Sequence, residues 1–466
     1  MFDSLHESCG IVGIIGESDA AVKTYMSLYA LQHRGQESAG IVVSDGHDLL
    51  ERKGLGLVEQ VFGSPDALSD MKGDAAIGHV RYSTTGDTSL TNSQPFTIKY
   101  KRGKVSGAHN GNLVNARELR RQMEKRGSIF RTTTDTEVVL HLLAKSPQLT
   151  TPEGIADALS QVHGAFCFVF LTPELLIAVR DPAGIRPLEI TRTPTGGTVV
   201  ASESCAFDLL NLPPGRSLEP GEMIVADRSG KVESIFPFKP STPSPCIFEF
   251  IYFSRPDSRI FGTNVDKIRR RMGRQLAREH PADADIVISV PDSSNTAALG
   301  YSRESGIPFE FGLIRNHYIG RTFIQPRQAI RDFGARIKYN PVKGVLNGKR
   351  VVVIDDSIVR GTTSKALVKI IRDAGASKVH LRIASPPIRH SCFYGIDTPN
   401  PERLIASYSS VKDTANFVGA DTLEYLSLDG MLSIDGLPKT GFCTACFSGN
   451  YPIEYDDLQI KDKTRK

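Results

Sequence analysis

The stretch with the most chemical content runs Val351-Val352-Val353-Ile354-Asp355-Asp356-Ser357-Ile358-Val359-Arg360-Gly361-Thr362-Thr363-Ser364. An apolar run ends in two adjacent acids, and a loop of small and hydroxyl-bearing residues then opens into a helical pattern. A loop feeding a helix N-terminus offers unpaired N–H groups and the positive end of the helix dipole to a phosphate. The hydroxyls of Thr362, Thr363 and Ser364 add donors. Two carboxylates beside a phosphate would repel it, so Asp355 and Asp356 must face sugar hydroxyls, a hard cation, or both. The ligand this implies is a ribose 5-phosphate with Mg2+. No Gly-Lys-Ser/Thr follows the glycine, so this is not a Walker loop. A second run, Val287-Ile288-Ser289-Val290-Pro291-Asp292-Ser293-Ser294, also passes from an apolar strand into a polar turn before a helix. In an open α/β sheet, ligands bind where such strand ends converge. The competing account is an ordinary βα turn whose acids cap a helix.

The seven cysteines are candidates for a different chemistry. Cys9 stands beside an apolar run, and a lone cysteine there is more often a small buried hydrophobe. Cys443-Thr444-Ala445-Cys446 is a C-x-x-C pair, by itself a weak metal signal. With Cys246 and Cys392 it makes four candidate thiolates for zinc or an iron–sulfur cluster, and spacing does not choose between those metals. Cys167 and Cys205 lie in apolar surroundings and fit core packing.

These residues need elements to hold them. As far as about Asp227, short β-branched and aromatic runs separated by Gly, Asn and Asp predict strands at 11–15, 75–82, 165–170 and 176–179. Helices are predicted at 18–32 and 136–144, which makes an α+β pattern. A proline-rich link at 237–245 follows. Beyond it come a helix at 264–279, strands at 285–290, 351–355 and 379–384, and helices at 295–305 and 363–374. That alternation implies α/β, a parallel sheet covered on both faces. The basic run 267–278 reads as a solvated helix face with a few phosphate-steering charges, and receives no role. The tail 461–466 is expected to fray.

Composition limits the function classes. At about 150 residues per domain, 466 residues make two large domains or three smaller ones. Apolar residues at 40% and charged residues at 23% supply an ordinary globular core. A net charge of +4 is too small for a dedicated nucleic-acid binder. No apolar stretch is long enough for a transmembrane helix, and the opening residues lack the basic head and apolar middle of a secretory signal. Seven cysteines, an odd number, do not form an extracellular disulfide framework. A cytoplasmic protein, binding neither nucleic acid nor membrane, is expected.

The pattern from Val351 to Ser364 resembles the signature of type I phosphoribosyltransferases. By that resemblance Asp355 and Asp356 orient the ribose, Ser357 and Arg360 to Ser364 hold the phosphoribosyl substrate, and Ser293 joins the two acids as a magnesium ligand. The polar segment 318–338, with Arg321, Arg327, Arg331 and Arg336, looks like the family's lid over the diphosphate. In the first half, Cys9 has companions in a telling order. They are Leu31-Gln32-His33-Arg34-Gly35-Gln36, Gly78-His79-Val80-Arg81-Tyr82, His109-Asn110-Gly111-Asn112 and Thr134-Asp135-Thr136-Glu137. Together they resemble the N-terminal-nucleophile glutaminase domain of class II amidotransferases, an αββα sandwich. The resemblance makes Cys9 the nucleophile, its own α-amine the proton carrier, Asn110 and Gly111 the oxyanion donors, and Arg81 and Asp135 the anchors for glutamine. Residues 1–8 must then be removed as a propeptide at the Ser8–Cys9 bond.

Both signatures in one chain resemble the glutamine phosphoribosylpyrophosphate amidotransferase family. The contexts of Cys246, Cys392, Cys443 and Cys446 resemble its branch with a 4Fe–4S cluster. The expected division is a propeptide 1–8, a glutaminase domain 9–236, a phosphoribosyltransferase domain with its linker 237–440, and a cluster-binding segment and tail 441–466. The implied reaction makes 5-phosphoribosylamine, glutamate and pyrophosphate from phosphoribosyl pyrophosphate, glutamine and water. Family membership further implies a homotetramer and feedback inhibition by purine nucleotides. One alternative is a regulator that binds phosphoribosyl pyrophosphate and senses oxygen without turnover. Another is a zinc-stabilised interaction protein.

Overall fold

The computed structural model describes residues 9–82, 89–316, 338–439 and 441–455. The expected propeptide 1–8, the four lid arginines and the tail 461–466 lie outside the described residues.

The first half is two stacked antiparallel sheets. Its strands in chain order are β1 (Gly10–Ile15), β2 (Ser38–Ser44), β3 (Leu49–Leu55), β4 (Ala75–Arg81), β5 (Phe96–Tyr100), β6 (Gly103–Leu113), β7 (Gly164–Leu171), β8 (Leu175–Arg180), β9 (Glu189–Arg192), β10 (Thr198–Ala201), β11 (Arg216–Ser217), β12 (Met223–Asp227) and β13 (Val232–Ile235). One sheet has the order β11-β9-β10-β1-β4-β2-β3, the other β13-β12-β8-β7-β6-β5. Period-2 alternation explains the stacking. In β7, Phe166, Phe168 and Phe170 pack outward on the helices Thr136–Lys145 and Thr151–Ser160, while Cys167, Val169 and Leu171 face the other sheet. In β1, Val12 and Ile14 meet the helix Ala20–Ala30, and Ile11 and Ile15 join the layer between sheets. Helices on both outer faces complete an αββα sandwich. Cys167 and Cys205 are buried in these cores. The helix foreseen at 18–32 is shorter at both ends, because Asp19 takes a left-handed conformation and Gln32–Arg34 tightens into a 3-10 turn.

The second half is built on a four-stranded parallel sheet of order Ile286–Ser289, Arg350–Asp355, Lys378–Ile383, Thr422–Tyr425. Val352 and Ile354 face the helices Val265–Glu279 and Asn295–Ser305, while Val351 and Val353 face Thr362–Asp373 and Val411–Val418. The sheet is therefore covered on both sides, which is why its strands read as continuous apolar runs. It forms the type I phosphoribosyltransferase fold.

The link between the halves is stitched in at its end. Ser244 N–H donates to Ala183 C=O at 2.7 Å and Cys246 N–H to Ile185 C=O at 3.0 Å. One apolar core then runs from Val114, Ala165, Ala183 and Ile185 of the sandwich through Ile247, Phe248 and Phe250 to Val352 and Ile354 of the parallel sheet. Burial of this kind contributes about 1.5–3 kcal/mol per large side chain, so it fixes one half against the other.

Candidate active site

Two clusters of reactive side chains stand out, one in each half. In the second half, Arg350–Asp355 and Ile286–Ser289 run in parallel, with Val290 N–H donating to Ile354 C=O at 2.9 Å. Both strand ends therefore open on the same edge. Asp355 and Asp356 are each only 7% exposed. The Ser293 hydroxyl donates to Asp356 Oδ2 at 2.5 Å and the Ser357 hydroxyl to Asp356 Oδ1 at 2.7 Å. Asp355 Oδ1 accepts the Asp356 N–H at 3.0 Å and the Ser294 hydroxyl at 3.4 Å. Burial pushes both carboxyl groups up, and the Asp356 charge raises Asp355 further. Such a pair calls for a cation.

Arg269 is part of this balance, which corrects the reading of the basic run as a solvated face with phosphate-steering charges, since this arginine is buried. Its helix buries Ile268, Met272 and Leu276, and the side chain of Arg269 is carried into the interior, 3% exposed. Its guanidinium donates to Phe250 C=O at 2.6 Å and Ser254 C=O at 2.7 Å, and its charge lowers Asp356. Burial brings Arg269 itself down to about 10, where it stays cationic at neutral pH.

Beyond the acids, Ser357 and Arg360 lie on the loop before the helix Thr362–Asp373, and Thr362, Thr363 and Ser364 form its first turn. Gly361 has φ +77°, and a Cβ there would come 3.1 Å from Ile405 Cδ1 and 3.3 Å from Phe417. Only glycine turns this corner without strain.

In the first half, Cys9 precedes β1, and its thiol donates to Tyr82 C=O at 3.4 Å. Burial pushes the Cys9 thiol up, while the Tyr82 contact and the Arg81 charge pull it back; Glu37 and Asp135 raise it. Arg81 and Asp135 thus act electrostatically on the same sulfur. Arg81 ends β4 and is 2% exposed. Asp135 accepts Leu113 N–H at 2.9 Å and lies 3.5 Å from His109 Nδ1. Burial opposes its charge, but His109 and the backbone donors hold it below the usual carboxylate range.

Asn110 and Gly111 lie on β6. Asn110 is fully buried, and among the described residues neither its Oδ1 nor its Nδ2 has a hydrogen-bond partner. An unpaired buried amide costs about 1–3 kcal/mol, and such groups mark functional sites. Gly111 has φ +147°, and a Cβ would stand 2.0 Å from Ala165 C=O.

A buried charge network that the sequence motifs did not single out lies behind Cys9. Arg34 Nε donates to Cys9 C=O at 3.2 Å. Its remaining nitrogens reach Glu203 at 2.5 Å and Glu249 at 2.9 and 3.0 Å. Glu249 also accepts from Arg186 at 2.9 Å, and Arg186 donates through Nε and Nη2 to Tyr394 C=O at 3.1 and 3.0 Å. Arg34 was visible within its motif, but nothing in the spacing linked it to Glu249, 215 positions away.

The four remaining cysteines come together where the two halves meet. Cys246 and Cys443 are backbone bridge partners, and Arg389 and His390 N–H donate to Cys446 C=O at 2.9 and 3.0 Å. Cys392 Sγ accepts Tyr394 N–H at 3.3 Å. Burial pushes Cys246 up to about 12 and raises Cys443 and Cys446, and each of these three thiols feels the charge of Cys392. Among the described residues, no group of three or more His, Cys, Asp or Glu side chains is arranged to hold a metal ion. Nor, among the described residues, is any helix long and apolar enough to cross a membrane.

Comparison with known proteins agrees with this architecture. Residues 79–208 match a family described as glutamine amidotransferase domain. The chain is 50% identical to amidophosphoribosyltransferase 1, chloroplastic, of Arabidopsis thaliana over 98% of its own length and 80% of that protein's. It is 49% identical to the amidophosphoribosyltransferase of Bacillus subtilis, over 98% of this chain and 96% of the relative. A solved structure of the B. subtilis glutamine phosphoribosylpyrophosphate amidotransferase, complexed with ADP and GMP, superposes with a TM-score of 0.90. At 48% identity it covers 96% of this chain and 98% of its own.

Proposed function

The chain belongs to the amidophosphoribosyltransferase family, and we propose that it performs the family's reaction by dividing the work between the Cys9 and Asp355–Asp356 clusters. That reaction opens de novo purine synthesis. It converts phosphoribosyl pyrophosphate, glutamine and water to 5-phosphoribosylamine, glutamate and pyrophosphate.

At the first cluster, with residues 1–8 removed, the α-amine of Cys9 takes the thiol proton and the sulfur attacks the glutamine side-chain amide. The Asn110 side chain and the Gly111 N–H stabilise the oxyanion, Arg81 holds the substrate carboxylate and Asp135 its ammonium. Ammonia leaves, and water hydrolyses the thioester to glutamate. Ammonia released to bulk water near neutral pH would be protonated, so it passes internally to C1 of the ribose, where it displaces pyrophosphate. At the second cluster Asp355 and Asp356 orient the ribose hydroxyls, Arg360, Gly361, Thr362, Thr363 and Ser364 receive the 5-phosphate, and Ser357 is a further contact to the phosphoribosyl substrate. Asp355, Asp356 and Ser293 would hold magnesium, which when bound neutralises charge on the departing diphosphate. The buried, mutually repelling acids fit that cation.

Cys246, Cys392, Cys443 and Cys446 would hold a 4Fe–4S cluster. What supports this is the gathering of four thiols at one seam, Cys246, Cys443 and Cys446 each feeling Cys392, which is the ligand number such a cluster takes. When bound, the group ties the link, the 392–395 loop and the C-terminal segment together. A homotetramer and a cytoplasmic location belong to the same proposal. So does inhibition by purine nucleotides, which the ADP and GMP in the related structure support. A non-catalytic regulator is not favoured, since relatives over nearly the whole chain are named as transferases.

The observation that carries the reading is the joining of the two halves, each bearing one cluster, through one continuous core. The test uses anaerobically purified protein with magnesium and glutamine, with and without phosphoribosyl pyrophosphate. Near-equal release of glutamate and pyrophosphate that depends on the phosphoribosyl substrate is expected. Neither product, from protein confirmed to begin at Cys9, overturns the assignment.

A further inference from the structure

The Arg34–Glu203–Glu249–Arg186 network uses buried charge where apolar side chains would stabilise the fold as well. All four side chains are at most 1% exposed. Glu249 is the residue on which the network turns. Its Oε1 accepts from both Arg34 and Arg186 at 2.9 Å, and its Oε2 accepts from Arg34 at 3.0 Å and from the Ser254 hydroxyl at 2.8 Å. Each arginine then has nitrogen left for a main-chain carbonyl: Arg34 takes that of Cys9 and Arg186 that of Tyr394. The loop around Tyr394 returns to the glutaminase side by a second route. Asn112 Nδ2 donates to Phe393 C=O at 2.8 Å, and Gly395 lies so near Gly111 that a Cβ on it would come 3.0 Å from the Gly111 carbonyl carbon. Cys9 and Gly111 are thus both held from behind by groups that converge on Glu249.

We propose that Glu249 is a positioning residue of the glutaminase centre, fixing the Cys9 main chain through Arg34 and the 393–395 loop behind Gly111 through Arg186. The inference rests on Cys9 being the glutaminase nucleophile. Glu249 touches no substrate. It keeps nucleophile and oxyanion donor in register, and a displacement of about 1 Å between such groups costs up to about a hundredfold in rate. Replacement by glutamine keeps the shape but removes the charge, and its amide N–H would point at an arginine N–H.

The experiment compares wild-type protein with Glu249→Gln and Arg186→Lys. Glutamine hydrolysis is measured as kcat and KM, and phosphoribosylamine synthesis from added ammonia is measured beside it. The ammonia reaction needs only the Asp355–Asp356 cluster and reports that the variant has folded. The expected result in at least one variant is a fall in glutamine kcat of about ten- to a hundredfold, with KM and the ammonia-dependent rate within about twofold of wild type. Proportional loss of both reactions in both variants means a structural role and overturns the proposal. So does unchanged glutamine hydrolysis in both, or a rise in KM alone. A wild-type protein that uses ammonia but hydrolyses no glutamine would instead overturn the reading of Cys9, so the two failures are distinct.

Discussion

The Ser293 hydroxyl donates to Asp356 Oδ2 at 2.5 Å, tying the turn after one parallel strand to the acid that follows its neighbour. The contact joins the two strand ends side by side, and Ser293 and Asp356 are among the residues that would hold a hard cation. Asp356→Asn should lower phosphoribosylamine synthesis, with either glutamine or ammonia as nitrogen source, by about a hundredfold or more. Hydrolysis of glutamine alone should persist at its basal rate. Parallel assays of pyrophosphate and glutamate separate the two effects.

Removing the unpaired amide on β6 should part activity from stability. Asn110→Leu keeps the approximate volume but supplies no oxyanion donor, so glutamine turnover should fall by about 10²–10³. The fold loses a buried polar group without partners among the described residues, and its melting temperature should hold or rise. A marked drop in melting temperature would mean that the amide is paired in solution.

Glu189 offers a test of pH linkage away from both clusters. It is 2% exposed, and burial raises it to about 7 against the pull of the Ser217 hydroxyl and Arg180. A carboxyl raised in the folded state favours folding while protonated; that advantage is lost as pH climbs from the ordinary range, near 4, through about 7. Glu189→Gln should match wild-type stability near pH 4 and exceed it by about 1–3 kcal/mol above pH 7. Denaturant melts across that range give the curve.

The four clustered thiols predict a stoichiometry. Protein purified without oxygen should carry about four iron and four sulfide per chain, and Cys443→Ser should lose both along with the visible absorbance. One zinc per chain and no chromophore would assign the thiols to zinc instead.

Mass spectrometry of the mature protein should find Cys9 as its first residue. A chain retaining residues 1–8 would remove the amine on which the proposed proton transfer depends.

Much of the proposed phosphoribosyl site could be put forward from the sequence because its parts are contiguous. A strand buried on both faces writes an unbroken apolar run, and Asp355 to Ser364 follow it within one βα turn. The sandwich was legible by its period-2 strands, of which β7 is the plainest. Tertiary pairing of charges leaves no such trace. Glu249 meets Arg34 and Arg186 across 215 and 63 positions, and no local pattern marks any of them as buried. Arg269 was misread for a related reason. A helix rich in arginine reads as solvated throughout, yet its stripe of Ile268, Met272 and Leu276 carries the adjoining residue inward.

The apolar core that crosses from sandwich to parallel sheet has a bearing on how divisible the molecule is. The link at 237–245 is exposed over residues 239–242, where a protease has ready access. A cut there would sever the covalent tie and free neither piece, since each would have to bare the surface that Ile185 and Ala165 share with Ile247 and Phe248. The peptide is only the visible join. Cohesion between the two halves lies in the interface, so a nicked chain should sediment and turn over as the intact one does.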